Sequence, residues 1–179
     1  MKVAVIGVGY WGKKHVDEYI QLGYDVIICD NHEKNIVECK EKFKTVEVKN
    51  LEAILNDNEI TCVSICTPNE THFEIASECL DCKKHVFLEK PIATNLKDAN
   101  KLIEISEKNN LILQIGHLYR FNNSILKAKE IIKNKKLGTV HSVYFSWNNF
   151  EPIFNDRGII LDLGIHPVDI IDYIFDGKY

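Results

Sequence analysis

What the sequence lacks narrows the possibilities first. No apolar run in the 179 residues approaches the roughly 18 needed to cross a membrane. Positive charge is not in excess, since 22 Lys and Arg against 26 Asp and Glu give a formal charge of -4. Nucleic-acid surfaces and polybasic membrane patches need the opposite balance. A strand pattern begins at residue 2, which leaves no room for a leader, so the expectation is a cytoplasmic protein. There is no internal repeat and no low-complexity stretch. The pair Cys79-x-x-Cys82 has no second pair at ligand spacing and lies late in a helical pattern, where a thiolate gains nothing. No metal is expected, and the six cysteines read as reduced thiols, with Cys29, Cys62 and Cys66 as small buried hydrophobes.

What is present is ordinary in amount and specific in order. An apolar content of 45% suits a globular chain, and this length suits one domain, or one domain and part of another. Lys2-Val-Ala-Val-Ile6 has the composition of a strand buried on both faces. Gly7-Val8-Gly9-Tyr10-Trp11-Gly12 follows at once and completes a G-x-G-x-x-G. A helical pattern covers 13–22, Gly23 stops it, and a second apolar run over 24–29 ends at Asp30. Strand, glycine loop, helix, strand and acid in that order predict a dinucleotide-binding βαβ unit.

Each part has a physical task. Gly7 permits the turn out of the strand, Gly9 lets a pyrophosphate approach the backbone, and Gly12 lets the helix pack closely. Tyr10 and Trp11 share this cofactor loop, and the helix N-terminus offers free N–H groups to a diphosphate. Asp30 lies 23 positions after Gly7, close to the spacing of the ribose-binding acid. Its carboxylate would repel a 2′-phosphate, and no Arg follows in Asn31-His32-Glu33, so the cofactor is read as NAD.

The alternation continues along the chain. Helices are expected over 33–43, 51–56, 70–80 and from a Thr94 or Asn95 cap to about 107. Strands are expected over 45–48, 60–66, 85–89 and 111–115. This βα alternation predicts an α/β fold, a doubly wound parallel sheet complete by Gly116. The domains read as 1–120, the dinucleotide-binding Rossmann domain, and 121–179, the incomplete start of an α+β second domain. In that second part a helix over 124–134, a strand over 140–147, a loop over 151–157 and an apolar helix over 159–175 are expected. A lone strand is not stable, so partners from another chain or from further sequence are expected for it.

Ligands of such sheets sit outside the carboxyl ends of the strands. Thr67-Pro68-Asn69 with His72 falls there, facing the cofactor, although His72 also reads as a helix-surface histidine. Glu89-Lys90-Pro91 falls there too. Lys90 beside a nicotinamide could take the proton of a substrate alcohol, or it is a surface lysine in a turn. Asp162 and His166 stand four apart with Asp169 beyond, a spacing for an acid–histidine proton relay or for a structural bond.

Together these motifs resemble the glucose–fructose oxidoreductase, inositol dehydrogenase and rhizopine catabolism family (Gfo/Idh/MocA). They are Gly7–Gly12, Thr67-Pro68-Asn69 with His72, Glu89-Lys90-Pro91 and Asp162-x-Gly164-x-His166. The resemblance implies Lys90 and His166 as acid–base residues supported by Asp162, and a Lys90–Pro91 bond that is often cis. A narrower set is similar to UDP-N-acetylglucosamine 3-dehydrogenases and their UDP-sugar relatives. It comprises Gly9-Tyr-Trp-Gly-Lys-Lys-His15, Gly116-His117-x-x-Arg120-Phe121-Asn122 and Gly158-Ile-Ile-Leu-Asp162, with Asn123 where those enzymes usually carry proline. That similarity puts Arg120, Asn122, Lys90 and His166 near the substrate, and Glu89 and Lys90 beside the cofactor. It implies an NAD-dependent oxidoreductase acting on a sugar or nucleotide-sugar hydroxyl, the 3-hydroxyl of a UDP-sugar foremost. Family members are usually much longer, so the chain is expected to be a fragment or to have a partner that supplies the missing sheet. The alternative is an NAD-binding module without turnover of its own. Exposed apolar surface in the second part predicts a homo-oligomer.

Overall fold

The structure, a computed structural model, describes residues 1–148 and 158–177. The chain divides into two compact units, Met1–Gly116 and His117–Tyr179. In the first, β1 (Lys2–Ile6), β2 (Asp25–Cys29), β3 (Glu47–Val48), β4 (Ile60–Ile65), β5 (His85–Leu88) and β6 (Leu113–Ile115) form one sheet. Its order is β3-β2-β1-β4-β5-β6 and every pairing is parallel. That is the doubly wound Rossmann arrangement, in which strand order reverses between β1 and β4.

Strand alternation sorts the apolar side chains onto two faces. Val3, Val5, Val26 and Ile28 join Val16 of α1 (Tyr10–Gln21) and Cys39 of α2 (Glu33–Lys42). Ala4, Ile6, Ile27, Val63, Ile65, Val86 and Leu88 face the other way. They pack on Ile54 of α3 (Leu51–Asn56), on Ala76, Cys79 and Leu80 of α4 (His72–Asp81), and on Leu102 of α5 (Leu96–Asn109). A parallel sheet covered on both faces explains why its strands read as continuous apolar runs. Asn95 caps α5 by accepting the Asp98 N–H at 2.9 Å, and Asn50 caps α3 through the Ala53 N–H at 2.8 Å.

The carboxyl ends of five strands, β2, β1, β4, β5 and β6, are brought level by four backbone bonds. Gly7 N–H donates to Cys29, Cys66 to Ile6, Glu89 to Ile65 and Gly116 to Leu88, at 2.8 to 3.0 Å. The turns carrying polar groups therefore share one edge of the sheet.

The second unit is helical among its described residues. α6 (Asn123–Lys133) and α7 (Ile165–Phe175) are preceded respectively by a 3₁₀ turn, Leu118–Phe121, and by a π turn, Ile160–Gly164. The strand expected over 140–147 does not form among the described residues of this unit, which hold no second strand for it to pair with. The described residues of this unit thus contain none of the β structure expected for an α+β domain. The loop expected over 151–157 lies outside the described residues. No helix among the described residues is long and apolar enough to cross a membrane.

Candidate functional site

The glycine loop is built by contact on two sides and by openness on the third. Gly7 turns at φ +85°, and a Cβ there would lie 2.8 Å from the Cys66 carbonyl. A Cβ on Gly12 would come within 1.9 Å of the Gly7 oxygen, so only glycine lets α1 start here. Gly9 meets nothing within 4 Å. It precedes α1 without a capping side chain, and no acid lies in the first turn, so these N–H groups face an open approach. Tyr10 and Trp11 stand edge to face beside it at 5.4 Å, 73% and 45% exposed. Lys14 Nζ lies 4.4 and 4.2 Å from their ring centroids, adding a cation near the helix start. An open backbone cradle, partial positive charge and a nearby ammonium fit a diphosphate.

Asp30 stands beside this cradle. Its Oδ2 accepts the Val8 N–H at 2.8 Å and the Asn35 side-chain amide at 3.1 Å, and its Oδ1 accepts the His32 N–H at 2.8 Å. The acid thus braces the loop it is expected to complete.

Beyond β4, Thr67 and Pro68 lead into a 3₁₀ turn, Asn69–Thr71, and Thr71 Oγ1 lies 2.8 Å from both Thr67 Oγ1 and the Pro68 carbonyl. Asn69 is 8% exposed and Pro68 is exposed. His72 is neither a surface histidine nor open to a cofactor. It is 0% exposed, with Nδ1 2.7 Å from the Pro91 carbonyl and Nε2 2.9 Å from the Thr67 carbonyl. Its place is to tie the turn after β4 to the turn after β5.

Lys90 stands at the end of β5, half-buried, and the Lys90–Pro91 bond is cis. Glu89 is directed inward: Oε1 lies 3.0 Å from His15 Nε2, and Oε2 accepts the Lys90 N–H at 3.3 Å. His15 Nδ1 in turn lies 2.8 Å from the buried Ser64 hydroxyl. Glu89 is thus a supporting group; motif reading quoted His15 without a role and passed over Ser64. The available signal was Ser64 itself, a hydroxyl inside an apolar strand that must find a partner.

In the second unit His166 is 8% exposed. Its ring stacks on Trp147 at 5.5 Å and 17°, and Tyr119 meets it edge-on at 5.0 Å. Asp162 lies in the π turn before α7, half-buried. Such turns are frequent at functional sites. Arg120 and Asn122, both expected at the substrate, are engaged within this unit. Arg120 Nε and Nη2 donate to Asp169 Oδ1 at 2.8 and 2.6 Å, a contact that strengthens the guanidinium's hold on its proton. Asn122 Oδ1 caps α6 by accepting the Ser124 and Ile125 N–H groups at 2.9 and 3.4 Å. Each fixes a helix first.

Residues 1–117 match the GFO/IDH/MocA oxidoreductase family, NAD-binding Rossmann fold, and residues 125–179 match the GFO/IDH/MocA C-terminal domain. The chain belongs to the Gfo/Idh/MocA oxidoreductase family. It is 32% identical to the myo-inositol 2-dehydrogenase of Thermotoga maritima over 97% of this chain and 54% of that protein. With the UDP-N-acetylglucosamine 3-dehydrogenase of Acidithiobacillus ferrooxidans it shares 27% identity, over 95% of this chain and 53% of the relative. The crystal structure of a probable dehydrogenase from Thermotoga maritima superposes with a TM-score of 0.84 at 32% identity, over 98% of this chain and 55% of that one. The chain thus spans about half the length of these Gfo/Idh/MocA relatives.

Proposed function

We propose that the chain is the cofactor-binding and acid–base part of an NAD-dependent dehydrogenase. Its substrate is a ring hydroxyl of a sugar or nucleotide sugar, the 3-hydroxyl of a UDP-sugar foremost. The observation that carries the reading is the loop at Gly9, open above the backbone and flanked by Asp30. Gly7, Gly9, Tyr10, Trp11 and Gly12 receive the diphosphate, and Asp30 receives the ribose hydroxyls and disfavours a 2′-phosphate. Thr67, Pro68 and Asn69 border the same edge, with His72 and Glu89 holding the turns behind them. When bound, the nicotinamide supplies the acceptor or donor of hydride. Lys90 takes the substrate hydroxyl proton as the carbon is oxidised and returns it in the reverse direction. His166 is the second acid–base group, supported by Asp162 and held in plane by Trp147. Arg120 and Asn122 shape the substrate side by fixing α7 and α6.

A second reading of the substrate is a cyclitol, favoured by the 32% identity to a myo-inositol 2-dehydrogenase. Both substrates present a secondary alcohol on a six-membered ring, so the acid–base roles are the same. We also take 121–179 as the start of the substrate and oligomerisation domain. Tyr144, Ile159, Ile160 and Val168, 63% to 91% exposed, support self-association of the chain.

The test is NADH absorbance with NAD and a panel of UDP-sugars and inositols, beside thermal-shift titrations of NAD and NADP. The expected result is a thermal shift with NAD that exceeds the shift with NADP, and turnover that disappears in Lys90→Met while NAD still binds. Retained turnover in that variant would remove Lys90 from the chemistry, and no shift with either nucleotide would remove the cofactor.

A further inference from the structure

Under the cofactor edge, on the α1 face of the sheet, three polar side chains stand in a line that the proposed reaction does not use. Ser64 is 0% exposed in β4, its Oγ 2.8 Å from His15 Nδ1, and His15 Nε2 lies 3.0 Å from Glu89 Oε1. The order hydroxyl, imidazole, carboxylate is that of a hydrolytic triad, but a hydroxyl sealed inside a sheet meets no substrate. One arrangement of protons satisfies every member: Ser64 donates to Nδ1, and Nε2–H donates to Glu89. Burial, then the Glu89 carboxylate, push the Cys66 thiol up, so it keeps its proton. Burial likewise raises Tyr19.

The far end of the line carries the connection to the site. The second oxygen of Glu89 accepts the Lys90 N–H at 3.3 Å. Its carboxylate also closes on Gly116, where a Cβ would meet both oxygens at 3.2 Å. One run of hydrogen bonds and contacts therefore joins the glycine-loop helix, β4, the Lys90 turn and the end of β6.

We propose that His15 is a positioning residue of the cofactor site. By linking Ser64 to Glu89, it fixes the Lys90 turn relative to the glycine-loop helix, so that a dinucleotide meets both in register. The inference rests on the dinucleotide reading given above. A merely structural pair would behave differently when both partners are replaced. Removing one partner leaves the other buried and unsatisfied, whereas replacing both by apolar groups of similar shape can be nearly neutral for folding. His15 already meets Phe87 edge-on at 5.3 Å, so a phenyl ring suits its place.

The experiment measures NAD affinity and melting midpoint for the wild-type chain, His15→Phe, Glu89→Met, the double variant, and Glu89→Gln. Each of the first two replacements should lower the midpoint by about 4 °C or more, and the double variant should lose less than the two losses added. The double variant should nonetheless bind NAD roughly fivefold more weakly or worse, the size of one lost hydrogen bond. Glu89→Gln keeps one acceptor oxygen, enough for Nε2–H but not also for the Lys90 N–H, and should bind between wild type and the double variant. A double variant that binds as wild type overturns the inference, because the link then serves folding only. So does Glu89→Gln losing as much as the double variant, because the retained bond to His15 then contributes nothing. Where the double variant is too unstable to titrate, hydrogen exchange decides. The Lys90 amide must exchange as slowly as those of β5 in wild type and faster in His15→Phe, and rapid exchange in wild type or equal exchange in the two overturns the inference. No NAD binding by wild type overturns the cofactor reading and the inference together. Wild-type binding with an unimpaired double variant overturns the inference alone.

Discussion

The carboxylate of Asp30 accepts the Val8 and His32 N–H groups and the Asn35 amide before any ribose reaches it. Its removal therefore acts twice. Asp30→Ala should weaken NAD binding roughly tenfold or more, about 1.4 kcal/mol, and should also cost about 1–2 kcal/mol of stability through the acceptors lost to the loop. Isothermal titration and urea unfolding on the same sample separate the two effects. Unchanged NAD affinity would end the ribose assignment, whatever the stability does. The sequence carried this residue by spacing alone, and spacing says nothing about hydrogen bonds. The same limit explains His72, Glu89, Arg120 and Asn122. Three of these four have partners far along the chain, at Pro91, His15 and Asp169, and Asn122 caps the helix beside it. Motif reading locates such groups near an edge without showing which way they turn.

At the scale of elements, the glycine loop and α1 act as one piece. Gly12→Ala should destabilise the first unit by about 3 kcal/mol or more, since the added carbon collides with the Gly7 carbonyl. Gly9→Ala meets open space, so the added carbon displaces nothing and should cost the fold far less than Gly12→Ala. NAD binding should fall in both, in Gly9→Ala by steric exclusion of the diphosphate and without loss of fold. Circular dichroism melts alongside NAD titration distinguish the two, and intact binding in Gly9→Ala would contradict the cradle. The inner strands β1, β2, β4 and β5 were legible as apolar runs largely buried in the sheet, whereas the edge strands β3 and β6 are short and partly or wholly exposed. The start of α1 was not legible. It begins at Tyr10 rather than at 13, because its cap is backbone only and leaves no Ser, Thr, Asp or Asn as a signal. Strand propensity at 140–147 failed for a different reason, since a ladder needs a neighbour as well as a sequence.

At the scale of the molecule, every strand and every strand-end turn of the cofactor edge belongs to the first unit. A chain ending at Gly116 should therefore unfold cooperatively and bind NAD within about threefold of the full chain, as a small domain with its own core does. Calorimetry and NAD titration of that shorter chain test this. A non-cooperative melt would mean that the first unit depends on the rest for its stability.

The position of that division has a consequence for how such proteins diversify. Only one covalent bond, Gly116–His117, joins the unit that holds the sheet to the unit that holds His166. Genetic exchange at this bond severs no strand of the sheet and leaves the core of the first unit whole, so on the reading proposed above a different second unit can be joined to an inherited cofactor unit without rebuilding it. The close contacts that only glycine allows at Gly7 and Gly12 lie wholly within the first unit and travel with it in any such exchange.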